Sequence, residues 1–240
     1  MSLSAETTTG KPSRARAPKL RSSDRREMIL RQALDYFAAN GFTASTRDLA
    51  TAMGITQSLL YRYFPNKQAL IEAVYDEVTL SRWNPFWEDI IKDRSKALGV
   101  RLEEYYLDYA KLVLRHEWVR ILIFAGFEKS GINDRLFKLL KERIFEPVVR
   151  ECIAEYCSDP EAFSANENVD LELELVWGLH ASIFYIGMRK WVYATTMPKD
   201  VNATIIALVS SFLCGMKERL LIRSASLAKP SARRRGKEMK

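Results

Sequence analysis

The sequence predicts an all-α protein, on three observations. Glycine and proline are scarce, at 10 and 8 of 240 residues, so breaks are few. Apolar residues make up 48% of the chain and recur at spacings of three and four rather than two. Ser, Thr, Asp and Asn stand just ahead of several apolar runs, where they can cap helices. No strand-like alternation is strong enough to place a sheet, and the chain carries no internal repeat.

Residues 1–22 are expected to form a disordered basic arm, Thr-rich and then basic, with Pro12 and Pro18. Asp24 can cap a first helix, in which Met28, Ile29, Ala33, Tyr36 and Phe37 fall at helical spacing. Asn40-Gly41 ends it, because both residues accept a left-handed conformation. Ser45 caps a short helix to about Met53, and Gly54 marks a turn. Thr56 caps a third helix to about Phe64. Pro65-Asn66 breaks the chain again, and Asn66 caps a fourth helix from Lys67 to about Arg82. After a break at Asn84-Pro85, residues 97–115, 117–130 and 134–157 read as helices. Asn133 should cap the last of these and Pro147 should kink it. Residues 158–166 read as a polar loop. Two long apolar helices follow, 169–194 and 199–223, with Met197-Pro198 between them. The expected organisation is an arm (1–22), an N-terminal three-helix domain (23–68), a larger helical domain (69–223) and a disordered basic tail (224–240).

The net charge of +7 is unevenly placed. Seven basic residues before Glu27 face only Glu6 and Asp24, and six after Arg223 face only Glu238. The body between is mildly acidic. Basic tails of this kind suit polyanions, or serve only solubility. Cys152, Cys157 and Cys214 give neither a disulfide framework nor zinc spacing, which fits a reducing cytoplasm. No apolar stretch reaches the length of a membrane span, and the N-terminus lacks the apolar block of a secretory signal. The chain has two histidines, with no glycine-rich phosphate loop, metal-spaced cluster or nucleophile motif. No enzyme activity, metal or cofactor is therefore expected.

The most informative stretch runs from Arg47 to Lys67. Ala50 supplies a small residue where two helices cross, Gly54 stands four residues on in the turn, and Leu60 can pack back from the second helix. Two capped helices joined in this way form a helix-turn-helix, which sets its second helix in a DNA major groove. Ile55, Leu60 and Phe64 should face inward. Gln57 can pair with an adenine edge, and Leu59 with a thymine methyl, while Thr56, Ser58 and Tyr61 lie towards the N-terminal half that meets bases. Thr46, Arg47, Tyr61, Arg62, Tyr63 and Lys67 suit phosphate contacts, with Lys67 also at a helix N-terminus. Residues 27–80 are nonetheless slightly acidic, so the basic arm is expected to enter the minor groove and add affinity.

Over residues 24–80 the chain resembles the TetR family of transcriptional regulators. The resemblance rests on Tyr36-Phe37-Ala38-Ala39-Asn40-Gly41-Phe42, on Arg47-Asp48-Leu49-Ala50, and on Leu60-Tyr61-Arg62-Tyr63-Phe64-Pro65-Asn66-Lys67-Gln68-Ala69-Leu70, in that order. It implies a DNA-binding domain followed by a helical ligand-binding and dimerisation domain. It also implies a homodimer through helices 169–194 and 199–223, a palindromic double-stranded operator, and a repressor released by an unknown small-molecule effector. Small residues Gly178, Ala181, Ser182 and Gly187 on one helix, and Ala203, Ala207, Ser210, Ser211 and Gly215 on the other, suit close helix approach. Tyr105, Tyr109, Phe124, Phe127, Trp177, His180 and Phe184 are candidates for the effector lining, although each also fits plain core packing, and His180 a core or interface histidine. Abundant aromatics point to a hydrophobic or aromatic effector. A competing reading is a basic helical protein that coats nucleic acid or a membrane surface without sequence preference.

Overall fold

Three short polar caps set the N-terminal domain. The side chains of Ser45, Thr56 and Asn66 accept backbone N–H bonds from Asp48, Leu59 and Ala69, each three residues on. Each satisfies a donor that the helix itself leaves open. The computed structural model describes residues 21–128, 131–166 and 168–227. Its helices are α1 (Ser22–Asn40), α2 (Thr46–Ala52), α3 (Gln57–Tyr63), α4 (Lys67–Val78), α5 (Trp87–Lys92), α6 (Leu98–Val113), α7 (His116–Phe127), α8 (Ile132–Leu140), α9 (Glu146–Tyr156), α10 (Pro160–Asn166), α11 (Asp170–Trp191) and α12 (Val201–Leu227). A 3₁₀ turn (Leu80–Arg82) follows α4, and a π segment (Lys141–Phe145) joins α8 to α9. The expected arm and tail lie largely outside the described residues. Ser22 already belongs to α1, and residues 224–227 continue α12.

Several expectations are corrected. Arg21, not Asp24, stands at the cap of α1, and Asp24 sits in the first turn, where a carboxylate suits the helix dipole. Gly131, left-handed at φ +64°, precedes α8 in place of Asn133, whose Nδ2 donates to the Leu122 carbonyl at 3.3 Å. Pro147 stands in the first turn of α9, directly after the π segment. Its ring would clash with the carbonyl four residues back, and the π turn just before it widens the helix. Glu146 N–H accordingly bonds Lys141 O, five residues back. The polar loop at 158–166 is instead largely helix α10. Pro160 sits where a missing N–H costs nothing, Asp159 caps Ala162, and Phe163 is buried. Helix α5 has too few apolar residues to announce itself. It is pinned by Trp87, whose Nε1 donates to Asp108 Oδ2 at 2.9 Å.

Helices α1, α2, α3 and the start of α4 pack around Ile29, Phe37, Phe42, Leu49, Leu60, Phe64 and Leu70. Burying each such side chain contributes about 1.5–3 kcal/mol. The larger domain wraps around α6, whose Leu102, Tyr105, Tyr106, Tyr109 and Val113 are all buried. Helix α7 joins the two domains, packing on α1 and α4 on one side and α11 on the other.

Glu172, fully buried at the start of α11, ties that helix to α12. Its Oε1 accepts from Arg219 Nε and Arg223 Nη1, both at 2.6 Å. Burial alone would raise this carboxyl, but the bonds from Arg223 and Arg219 outweigh it and hold the group below 4.5. A carboxylate lowered in the folded state lends stability that is complete above the unfolded value and is lost as pH falls through the folded one. Urea stability should therefore decline below about pH 4.5. Glu172→Gln should flatten that decline, and an unaltered acid limb in the variant would refute the role.

Candidate nucleic-acid interface

Helices α2 and α3 cross at Ala50, with Leu49 and Leu60 buried beneath the crossing. The turn between them needs Gly54, which adopts φ +64°, a conformation that costs other residues about 1–2 kcal/mol. Ile55 N–H closes the turn onto Ala50 O at 3.0 Å. With Leu60 and Phe64 turned inward, α3 presents its opposite face to solvent. Arg47, Thr56, Ser58, Tyr61 and Arg62 are exposed, while Gln57, Leu59, Tyr63 and Lys67 are half-buried.

Thr46 is placed differently from the expectation. Its side chain is buried, and its Oγ1 lies 2.8 Å from the Tyr61 hydroxyl and accepts from Gln57 Nε2 at 2.9 Å. Its hydroxyl thus bonds two side chains of α3. Gln57 Nε2 also lies 3.4 Å from the Tyr61 hydroxyl, and its carbonyl oxygen remains an acceptor. The three side chains form a clip that fixes the Tyr61 ring on the outer face. Thr46→Val and Tyr61→Phe should each weaken binding to the preferred duplex by about 2–10-fold, the worth of one hydrogen bond. The double variant should lose little more than either single one, in a filter-binding titration. Full additivity would mean that the clip does not act as a unit.

In the larger domain, aromatic rings gather around Tyr109. Its centroid lies 4.4 Å from His180, 5.8 Å from Tyr105, 5.7 Å from Trp87 and 6.4 Å from both Tyr106 and Trp118. Phe145, at the end of the π segment, lies 5.0 Å from His180 and 4.5 Å from Trp177. Phe184 joins at the edge, 5.9 Å from Trp118. Tyr109 Oη and His180 Nε2 are 2.5 Å apart. Burial lowers His180 to about 3 and raises the Tyr105 and Tyr109 phenols, so the cluster is uncharged at neutral pH.

Of the residues expected to line an effector site, Tyr105, Tyr109, Trp177, His180 and Phe184 thus come together. Phe124 and Phe127 do not. Phe124 sits at the junction with α1, 6.3 Å from Phe42 and against Gly41, where an added Cβ would fall 3.2 Å from its ring. Phe127 is 78% exposed at the end of α7. In sequence Tyr106 and Trp118 are only apolar bulk, and nothing marks Phe145 or Arg120.

The family model for bacterial regulatory proteins of the tetR family matches residues 29–74, a span that takes in most of α1, both helices of the crossing and most of α4. Over that span the chain matches the TetR family. No curated protein matches it. Two solved TetR-type structures share its fold. A TetR-family transcriptional regulator from Streptomyces coelicolor has 19% identity and a TM-score of 0.57, over 89% of this chain and 93% of that one. A TetR-like transcriptional regulator from Rhodococcus sp. RHA1 has 15% identity and a TM-score of 0.60, over 82% of this chain and all of that one.

The last two long helices have exposed outer faces. On α11, Leu171, Leu175, Gly178, Ala181, Ser182 and Tyr185 are exposed along one stripe. On α12, Ala203, Ile206, Ala207, Ser210, Ser211, Gly215 and Ile222 are exposed. Gly187 departs from the expected small-residue stripe. It faces inward, and a Cβ there would fall 2.8 Å from Val119 Cγ2, so it admits α7. Among the described residues no helix is long and apolar enough to cross a membrane, and no group of His, Cys, Asp or Glu could hold a metal.

Proposed function

We propose that this TetR-family transcriptional regulator is a homodimeric repressor that binds a palindromic operator and leaves it when a small hydrophobic or aromatic effector enters the larger domain. The observation that carries the DNA reading is the outer face of α3, where Ser58, Tyr61 and Arg62 stand exposed over a buried Leu60 and the clip holds Tyr61 in place. Arg47 and Lys67 flank that face and serve phosphates. One such helix reads few base pairs, and a two-fold dimer doubles the site. The exposed stripes of α11 and α12 offer the surface for it. An effector that prefers a form with differently spaced α3 helices shifts the population away from DNA.

Selection of random duplexes by the purified protein tests this reading. Enrichment of a two-fold symmetric sequence supports it. Binding that only fades with salt, without enrichment, favours a non-specific coat instead. A panel of uncharged, anionic and cationic aromatic molecules is then screened for release of the selected duplex, and a panel with no releaser removes the effector half of the reading. The arm before α1 is assigned to the minor groove beside each half-site. Deleting residues 1–21 should lower the slope of log affinity against log salt by about 0.9 for each phosphate that the arm neutralises. An unchanged slope would remove the arm from the interface.

A further inference from the structure

We propose that the effector is an uncharged, flat aromatic molecule bearing a hydrogen-bond acceptor such as a carbonyl oxygen, held among Tyr105, Tyr106, Trp118, Phe145 and His180. This rests on the effector reading above and narrows it.

Four buried polar atoms of this one cluster have no hydrogen-bond partner: Tyr105 Oη, Tyr106 Oη, Trp118 Nε1 and His180 Nδ1. All four residues are at least nine-tenths buried. Unpaired buried polar atoms are costly and are rare in such numbers at one place. Three of the four can donate. The indole nitrogen can only donate, and each tyrosine hydroxyl has a proton to give. Tyr109 Oη and His180 Nε2 share one hydrogen bond, and His180 Nδ1 is left without a partner. The cluster therefore offers a surplus of donors, and a complementary ligand must accept.

Charge narrows the class further. His180 is neutral. The nearest buried cation along α6 is Arg101, one turn before Tyr105, and it is matched by Glu151 at 2.8 Å and by the Ile91 carbonyl. A carboxylate ligand would bring its charge to donors without a free countercharge. The walls are ring faces, which favour a flat aromatic body.

The π segment supplies the means of entry. It ends at Phe145, whose ring covers both Trp177 and His180. Single π turns recur at functional sites, and this one sets Phe145 against the cluster. Its ring is the one that a ligand displaces.

The test uses the full chain and three probes of similar size: 2-acetylnaphthalene, 2-ethylnaphthalene and 2-naphthoate. Binding is followed by tryptophan quenching and by release of the selected duplex. The ketone should bind about tenfold tighter than the hydrocarbon, the worth of one good hydrogen bond, and tighter than the carboxylate. Tyr106→Phe, which removes only a hydroxyl, should lower the affinity for 2-acetylnaphthalene more than that for 2-ethylnaphthalene and so remove most of that preference. Equal or tighter binding of the hydrocarbon or the carboxylate overturns the proposal, as does failure of all three probes to bind. If another panel member releases the duplex while these fail, the ligand class falls and the effector reading stands.

Discussion

Replacing Ala181 or Ala207 by arginine is expected to leave a folded monomer that binds the selected duplex at least a hundredfold more weakly. Both alanines are exposed, on α11 and α12 respectively. A long charged side chain there disturbs nothing within the protomer. Their neighbours tell a different story, since Tyr185 and Ile206 are 52% and 38% exposed on the same helices. Large apolar side chains and small ones alternate on this surface in the manner of a helix-packing face, not a solvated one. In the proposed two-fold dimer the face is self-complementary, so each arginine would enter the interface twice, with like charges brought together. Without the dimer, the second half-site loses the effective concentration that linkage provides, worth about 10²–10⁴ in affinity. Sedimentation equilibrium and duplex titration should change together while circular dichroism stays the same. A variant that remains dimeric with full affinity would place the dimer elsewhere.

The parts of the fold that depend on neighbouring residues were legible in the sequence. Ser45, Thr56 and Asn66 were each recognisable as caps because a cap acts across three residues. The turn at Gly54 and the inward Leu60 follow from the same short range. Elements that depend on distant partners were not legible. Helix α5 exists because Trp87 finds Asp108, and α10 because Phe163 finds the interior. The π segment records a compromise between Pro147 and the helix before it, which periodicity does not express.

The site divides in the same way. Which face of α3 looks outward could be read from the spacing of Leu60 and Phe64. That Thr46 is buried and bonded to Gln57 and Tyr61 could not, because its partners stand 11 and 15 residues away. Aromatic residues were visible in number, but their sorting into a central cluster, a junction and an exposed end was not. Tyr109, Phe124 and Phe127 look alike in sequence, and only packing separates them.

Arg120→Ala is expected to cost about 2–3 kcal/mol of stability, on the scale of hydrogen bonds to a charged group, and to uncouple effector binding from DNA release. Arg120 lies on α7, two residues after Trp118. Its Nε and Nη2 donate to the carbonyls of Ala38 and Ala39 at 2.7 and 3.0 Å, and its Nη1 reaches the Trp191 carbonyl at 3.5 Å. These carbonyls close α1 and α11, where helices leave acceptors open and carry partial negative charge. Helix α1 has no basic residue in its own last turn, so Arg120 supplies that charge from another domain. The guanidinium also lies over the Phe124 ring at 4.9 Å, and Phe124 in turn packs on Phe42 and Gly41. One side chain thus holds the end of the DNA-binding domain's first helix, the end of the helix that carries His180, and the helix that carries Trp118. A shift of α7 by a ligand among those rings would move α1 through this fork. The alanine variant should still bind effector, but its duplex affinity should respond far less to it. Lysine at 120 should restore only part of the response, because an ammonium is a point donor and cannot span three carbonyls as a planar fork does. Hydrogen exchange should rise at residues 38–42 and stay low along α6. A variant with normal stability and a normal effector response would show that the coupling runs by another route, the nearest being the packing of α7 on α4.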